Sequence, residues 1–427
     1  MKRFLLFFLI LLVLLRWWGL PNFTDDIDRD SLIKVINMGP DYLRRGLDYL
    51  CRKIPVTGPE DVLVLRWWGL PNFTDDIDRD SLIKAINRDL DYLRRIPQDN
   101  VYIYGPDRYT TVEIIDSMET FLNILEGSLD NKAFNKTIRS QFNIYRSTGG
   151  DGKGTVLFTG YYEPVLEGSL TKEGKYLFPL YSKPNDMIEI YLEEFKPKYK
   201  GERIIARLDN GKILPYFSRY EIDNKGVLRD KGLEIAWISD PVDIFFLQIQ
   251  GSGEIRLENG QAIKVNYTAS NGRSYKSIGH LLIDEGVIPK EEMSLKRLKE
   301  YLKDNPLERE RILSYNESYI FFRIAEDGPL GNIEVPLTQG RSIATDSTLF
   351  PKGGLAFIIT EKPVIDESGK IIEWRHLARF VLNQDTGEAI KGSGRVDLFF
   401  GKGNEAEIAA SNMMHNGKLY FLMKKPS

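Results

Sequence analysis

This 427-residue sequence holds one cysteine, Cys51, and three histidines, His280, His376 and His415. A single cysteine excludes an intramolecular disulfide and any thiolate metal cluster. The histidines are widely spaced and show no paired-ligand pattern, so each reads as a structural or surface residue and no metal site is expected. Neither sign of charge dominates. The 58 basic and 61 acidic residues leave a formal charge of -3, which argues against an electrostatic nucleic-acid binder. A P-loop, a dinucleotide fingerprint and a nucleophile-elbow serine are missing, so no cofactor is expected and a serine triad has no support. Long apolar runs are scarce as well. The stretch Phe4–Leu15, behind Met1-Lys2-Arg3, is short for a bilayer span and reads as the hydrophobic region of an export signal. Arg16-Trp17-Trp18 follows it directly with no small-residue cleavage site, so removal of the signal and its retention as an anchor both stay open.

The length allows two or three domains with substantial cores. One repeat stands out. LRWWGLPNFTDDIDRDSLIK occurs identically at Leu15–Lys34 and Leu65–Lys84, too short and too few-copied for a solenoid. The first copy runs into Gly39-Pro40, so the second is expected to be the folded one. It leads into Asp80–Arg95, where Leu82, Ile83, Ile86, Leu90 and Leu93 have helical spacing. Thr110–Leu125 predicts a second helix, and Ser277–Asp284 and Ser294–Lys303 two more, the last capped by Ser294. After the glycine-rich Ser147–Gly154 come short segments divided by glycines and prolines, which predict strands at Val156–Tyr162, Ile235–Ile238, Ile244–Ile249, Glu254–Leu257 and Ala262–Val265. Ser318–Arg323 returns to strand, and the remainder reads as β-rich apart from Glu405–Met414.

Chemistry concentrates near the C-terminus, in Asn383–Phe400 (NQDTGEAIKGSGRVDLFF). Asp385 and Asp397 sit there among Gly387, Gly392 and Gly394, which permit tight turns and close approach of backbone to a ligand. Arg395–Phe399 alternates polar and apolar residues, as a strand with one buried face does. Upstream, Asp346 precedes LFPKGG in a similar setting. Three acids in glycine-punctuated β segments describe a carboxylate site. Aspartate is also a favoured turn residue, because its side chain bonds nearby amides, and for any one of the three taken alone that reading weighs more. Arg395 is either a plain surface cation or the ion partner of Asp397.

The blocks ATDSTLFPKGG, NQDTGEAIKG and GRVDLFF, from Asp346 to Phe399, resemble the three-aspartate domain. FTGYYEPVLEG (Phe158–Gly168), FLQIQGSGEIRLENG (Phe246–Gly260) and YTASNGRSYKSIGHLLIDEG (Tyr267–Gly286) resemble the membrane-bound lytic murein transglycosylase A family, in the family's order. The resemblance implies a mainly β fold: a double-psi β-barrel carrying an inserted second β-domain, preceded by a few N-terminal helices. On that reading residues 1–20 are export signal or anchor, 21–64 a duplicated N-terminal segment, 65–157 the first part of the barrel, 158–326 the insert, and 327–427 the three-aspartate part.

It also implies an exported, periplasmic enzyme, monomeric, whose partner is the peptidoglycan glycan strand and not nucleic acid. The family cleaves the β-1,4 bond between N-acetylmuramic acid and N-acetylglucosamine, leaving 1,6-anhydro ends. Its single catalytic acid, the last of the three aspartates, corresponds to Asp397. Asp385 would orient or hydrogen-bond, and Asp346 would support. Thr159, Tyr161 and Tyr162 are candidate sugar contacts, as are Gln250, Gly251, Ser252 and Gly253, and Tyr267 and Asn271 of the Tyr267–Gly272 loop. The family's best-known members are outer-membrane lipoproteins. Here Cys51, in LDYLC, lies too far along to be a lipid-acceptor cysteine, so any membrane association would run through the N-terminal segment. Two other readings stay beside this one: a two-carboxylate hydrolase using Asp385 and Asp397, and a non-catalytic glycan-binding wall protein.

Overall fold

The computed structural model describes residues 58–127, 129–366 and 370–426. The apolar run Phe4–Leu15, expected to be an export signal, lies outside them with the first repeat copy and Cys51. Among the described residues the protein is mainly β, and its centre is a closed barrel of six strands. Around the barrel, Met414–Lys424 pairs with Leu355–Ile365, then follow Ile371–Asp385, Ser342–Ala344, Arg395–Lys402 and Val156–Glu163, which pairs back to Met414–Lys424. Closure leaves none of these strands as a free edge along its paired length. Phe142–Ser147 and then Leu63–Arg66 extend the sheet from the far half of Met414–Lys424.

The helices before the barrel form where the periodicity places them. Arg79–Arg95 starts at Asp78, whose carboxylate accepts from the Ser81 amide at 2.7 Å, and it buries Leu82, Ala85, Ile86, Leu90 and Leu93. Thr111–Glu126 opens with a capping box between Thr110 and Glu113. It packs Phe121 against Phe380 of the barrel, ring centroids 4.8 Å apart. A third helix, Asn131–Gln141, was not foreseen from the sequence; its apolar positions are few, and only Asn135 and Ile138 are buried.

Two buried arginines tie this layer to the barrel. Arg341 is fully buried and donates to Asp75 at 2.6 Å, to the Phe380 carbonyl at 2.8 Å, to the Ser81 hydroxyl at 3.0 Å and to the Asp78 carbonyl at 2.6 Å. Arg379 grips Asp76 with two bonds, of 2.7 and 2.6 Å. Asp75, Asp76 and Asp78 all belong to the second repeat copy.

A second sheet, also of six strands, runs in the order Ile320–Ala325, Ala262–Ser270, Ser252–Leu257, Val165–Ser169, Glu234–Ile238, Phe178–Tyr181. A three-stranded sheet of Lys212–Pro215, Arg203–Asp209 and Ile188–Tyr191 stands apart from it. The strand Val156–Glu163 spans the expected 157/158 boundary and pairs within the barrel, from Leu157 to Glu163, with Arg395–Lys402.

One expected strand is a helix. Ile244–Ile249 lies inside the helix Pro241–Gln250. Its run IFFLQI, apolar but for Gln248, shows no clear period and so cannot by itself separate a strand from a buried helix. The deciding signals flank it: Asp240 accepts from the Val242 amide, Pro241 occupies the first turn, and Gly251 closes the helix at φ +81°.

Two tests follow from the buried charges. Asp75→Ala leaves the fully buried Arg341 without its ionic partner, and we expect a loss of about 3 kcal/mol in urea unfolding. Asp89 is fully buried in the Arg79–Arg95 helix and accepts from Gln384 at 2.6 Å. Burial pushes its carboxyl up to about 8, with the Gln384 bond opposing the shift. A raised carboxyl favours the folded state at acid pH and loses that contribution as pH rises through the folded value. Asp89 therefore contributes a decline in unfolding free energy between roughly pH 4 and 8, and Asp89→Asn makes the measured slope shallower over that range.

Candidate active site

Strand register brings the acids together. Ser342–Ala344 lies between two barrel strands, parallel to Ile371–Asp385 and antiparallel to Arg395–Lys402. Ala344 stands opposite Asp385 on one side and Asp397 on the other. On the next strand Asp397 stands opposite Thr159. The order across the sheet is thus Asp385, Ala344, Asp397, Thr159. The two acids are two strand spacings apart at the backbone, about 10 Å.

Asp397 is 13% exposed. Thr159 Oγ1 donates a short hydrogen bond to Asp397 Oδ1. Arg395 Nε donates to the same oxygen at 3.3 Å. Among the described residues Oδ2 receives no hydrogen bond, so the oxygen on which a proton can reside is the unengaged one. Burial raises the Asp397 carboxyl above the usual aspartate range, against the pull of the Arg395 charge and the Thr159 bond.

Asp385 accepts from the amides of Asn332 at 3.0 Å and Thr386 at 2.9 Å, both on Oδ1. Burial pushes its carboxyl up to about 6, opposed by those amides and by Tyr161 and Lys352. The Tyr161 hydroxyl is buried beside Asp385 without a hydrogen bond of normal length, and its ring meets Phe399 at 5.2 Å between centroids. Asp346 behaves differently. Burial would raise it, but donors from Gly392 at 2.8 Å and from the Thr348 amide and hydroxyl at 3.1 and 2.7 Å outweigh that and hold it below the ordinary value. Its carboxylate ties its own turn to the Gly392 loop.

The remaining candidates divide. Thr159 and Tyr161 share the face of their strand that looks toward Asp397 and Asp385. Tyr162, next along the strand, points the other way and packs with Ala406 and Ala410. Gln250 Oε1 accepts from the Tyr162 amide at 3.1 Å. Gly251 is the helix terminator, and Ser252 is buried in its strand. A Cβ on Gly253 would meet Leu247 at 2.4 Å, so that glycine is required by packing. Asn271 is fully buried, donating to the carbonyls of Phe217 and Glu317 and accepting from the Tyr319 and Arg273 amides. Tyr267 is 42% exposed and lies near Glu388, whose carboxylate accepts from Ser318, two residues ahead of the strand Ile320–Ala325, at 3.3 Å.

Glu388 and Lys352 were not singled out from the sequence. Lys352 donates to Asn332, whose amide holds Asp385, and burial lowers its ammonium while Asp385 supports it. Their only sequence signal was membership of the NQDTGEAIKG and LFPKGG blocks.

The fold and site define a class, a β-barrel protein with two half-buried aspartates beside a second β sheet. Comparison with known proteins places it more narrowly. Residues 157–323 match the family model described as the MltA specific insert domain, and residues 341–423 match the 3D domain. The Membrane-bound lytic murein transglycosylase A of Escherichia coli K12 is 32% identical over 291 residues, 67% of this chain and 71% of that protein. Its namesake from Vibrio cholerae is 30% identical, over 66% and 70%. Among solved structures, a membrane-bound lytic murein transglycosylase from Agrobacterium tumefaciens aligns with TM-score 0.70 at 28% identity, covering 85% of this chain and 98% of that one. E. coli MltA with bound chitohexaose aligns with TM-score 0.63 at 26% identity, covering 87% and 98%. The chain belongs to the membrane-bound lytic murein transglycosylase A family.

The hydrogen bond from Thr159 favours the ionised form of Asp397, so removing it should raise the carboxyl further. In Thr159→Val, carboxyl carbon NMR should show Asp397 titrating higher than in the parent protein, by on the order of one pH unit. An unchanged midpoint would show that the bond does not act on the acid.

Proposed function

We propose that this protein is an exported lytic transglycosylase that cleaves the β-1,4 bond between N-acetylmuramic acid and N-acetylglucosamine in peptidoglycan. The observation that carries the mechanism is Asp397, partly open to solvent, raised by burial, and engaged through one oxygen only. Protonated on Oδ2, it gives that proton to the glycosidic oxygen as the bond to the muramoyl anomeric carbon breaks. The resulting carboxylate then takes the proton of the muramoyl C6 hydroxyl while that oxygen closes on the anomeric carbon. The products are a 1,6-anhydro end and a free 4-hydroxyl, with no water consumed and Asp397 returned to its protonated form. The intramolecular nucleophile is already held at high effective concentration, so a second carboxylate at nucleophilic distance is unnecessary.

Asp385 is assigned an orienting role, held by two amides and facing the Tyr161 hydroxyl, and Asp346 a structural one. The glycan is placed along the seam between the barrel and the second sheet, with Thr159, Tyr161 and Tyr267 as contacts and Glu388 at its edge. A solved structure of the related E. coli protein holds chitohexaose, which supports a glycan strand as the ligand. Gln250–Gly253, Tyr162 and Asn271 are assigned to shaping that seam from behind. In the same reading the barrel is of the double-psi type, built from residues 65–157 and 327–427 with 158–326 inserted, and the enzyme acts as a monomer in the periplasm.

Incubation with purified sacculi, followed by mass spectrometry, tests the assignment. The parent protein should release anhydromuropeptides, and Asp397→Asn should lose at least a hundredfold in rate. Reducing ends in place of anhydro ends would make the protein a hydrolase and return Asp385 to the chemistry. Undiminished activity in the variant would place the acid elsewhere.

A further inference from the structure

Trp67 is 65% exposed. Its ring meets that of Trp68 edge-on, centroids 4.7 Å apart, and the Arg66 guanidinium lies 5.8 Å from the Trp68 ring centre. The pair borders a cavity of about 330 Å³ lined by Leu65, Leu70, Phe142 and Asn143 together with the cations Arg66, Arg139 and Lys425. Arg139 donates to the Pro71 carbonyl at 3.0 Å, and Asn135 accepts from the Phe73 amide, so the helix Asn131–Gln141 is stitched to the segment that follows the tryptophans. That helix, NKAFNKTIRSQ, contains no carboxylate. Lys132, Lys136 and Arg139 recur at four- and three-residue spacing, on one face, and all three are exposed. Lys425 lies against the helix end, donating to the Arg139 and Ser140 carbonyls. The nearby acids are already engaged: Asp130 caps the helix and Asp116 pairs with Lys424.

We infer that this surface, Trp67 and Trp68 with the Lys132–Lys136–Arg139 stripe and Lys425, docks on the interface of an anionic phospholipid bilayer. Tryptophan prefers the headgroup level, where its ring is half in hydrocarbon and its N–H in water, and clustered lysine and arginine are drawn to anionic headgroups. An exposed aromatic pair ringed by unlike charges would suit many partners. A patch in which cations outnumber acids favours an anionic one, and the cavity offers room for a headgroup phosphate beside Arg66, Arg139 and Lys425. In sequence the same Arg-Trp-Trp directly follows the apolar run Phe4–Leu15, at the position where interfacial residues flank a membrane-inserting segment. Stable attachment by one weak apolar signal generally needs a second, and this surface supplies it. The inference is independent of the reaction proposed above.

The test uses the full-length protein with Trp17→Phe and Trp18→Phe, which silence the first repeat copy. Vesicles of phosphatidylglycerol with brominated acyl chains should quench its tryptophan emission, and adding Trp67→Phe and Trp68→Phe should abolish most of that quenching. Lys132→Glu with Lys136→Glu should weaken partitioning to phosphatidylglycerol about tenfold and leave that to phosphatidylcholine unchanged. Circular dichroism and peptidoglycan cleavage should stay as in the parent. Quenching that persists without Trp67 and Trp68, or equal binding to both lipids in every variant, would assign attachment to the N-terminal run alone and overturn the inference. It would equally be overturned if the variants lost binding to purified glycan strands and kept binding to vesicles.

Discussion

The architecture of the site depends on a strand of three residues. Ser342–Ala344 is wedged between the two acid-bearing strands, and a slip of one residue would turn Ala344 and its opposing aspartates to the wrong faces. So short a strand has little pairing energy of its own. It is held by the residue before it, since Arg341 spends its donors on Asp75, the Ser81 hydroxyl and the carbonyls of Phe380 and Asp78. Such a charge is costly to bury and stays only where it is fully bonded. The helical layer outside the barrel thereby sets register within it.

From that register the three aspartates acquire different chemistry. Each experiences the same upward push from burial, and the outcome turns on what opposes it. Asp346 receives three donors across both oxygens and stays ionised. Asp385 receives two amides on one oxygen and remains near 6. Asp397 has one hydroxyl and one guanidinium on a single oxygen, and stays raised. A raised carboxyl and an ionised one therefore come from the same residue type, and hydrogen-bond supply helps to separate them.

Much of the fold was legible in the residues. The caps at Asp78, Thr110, Ser277 and Ser294 act locally, within three residues, and the helices they start lie where spacing placed them. Ile244–Ile249 misled because a run apolar but for Gln248 has no clear period to read, and the outcome rested on Pro241 and Gly251 at its ends. The helix Asn131–Gln141 was hidden for the opposite reason, having little apolar surface to show a period. Within the candidate site, Asp385, Asp397, Thr159 and Tyr161 were visible in glycine-bounded motifs. Lys352 and Glu388 were not, because nothing in a linear chain says that Lys352 reaches the residue whose amide holds Asp385, or that Ser318 reaches Glu388. Asn271 shows the converse: a polar residue in a motif can serve buried carbonyls.

What the sequence determined by itself was local and compositional: the helix starts, the β-rich C-terminal part, the exclusion of an intramolecular disulfide and of a thiolate metal cluster, and the family to which the acid-bearing blocks belong. These follow from interactions between residues a few positions apart, or from counts. Tertiary structure decided which oxygen of Asp397 is engaged, which aspartates are raised, and which of two identical repeat stretches supplies partners for Arg341 and Arg379. Those outcomes depend on burial and on donors brought from strands and helices up to 305 positions away, as between Asp75 and Phe380. Desolvation has no meaning until the chain has closed around the group, and so no local pattern could encode it.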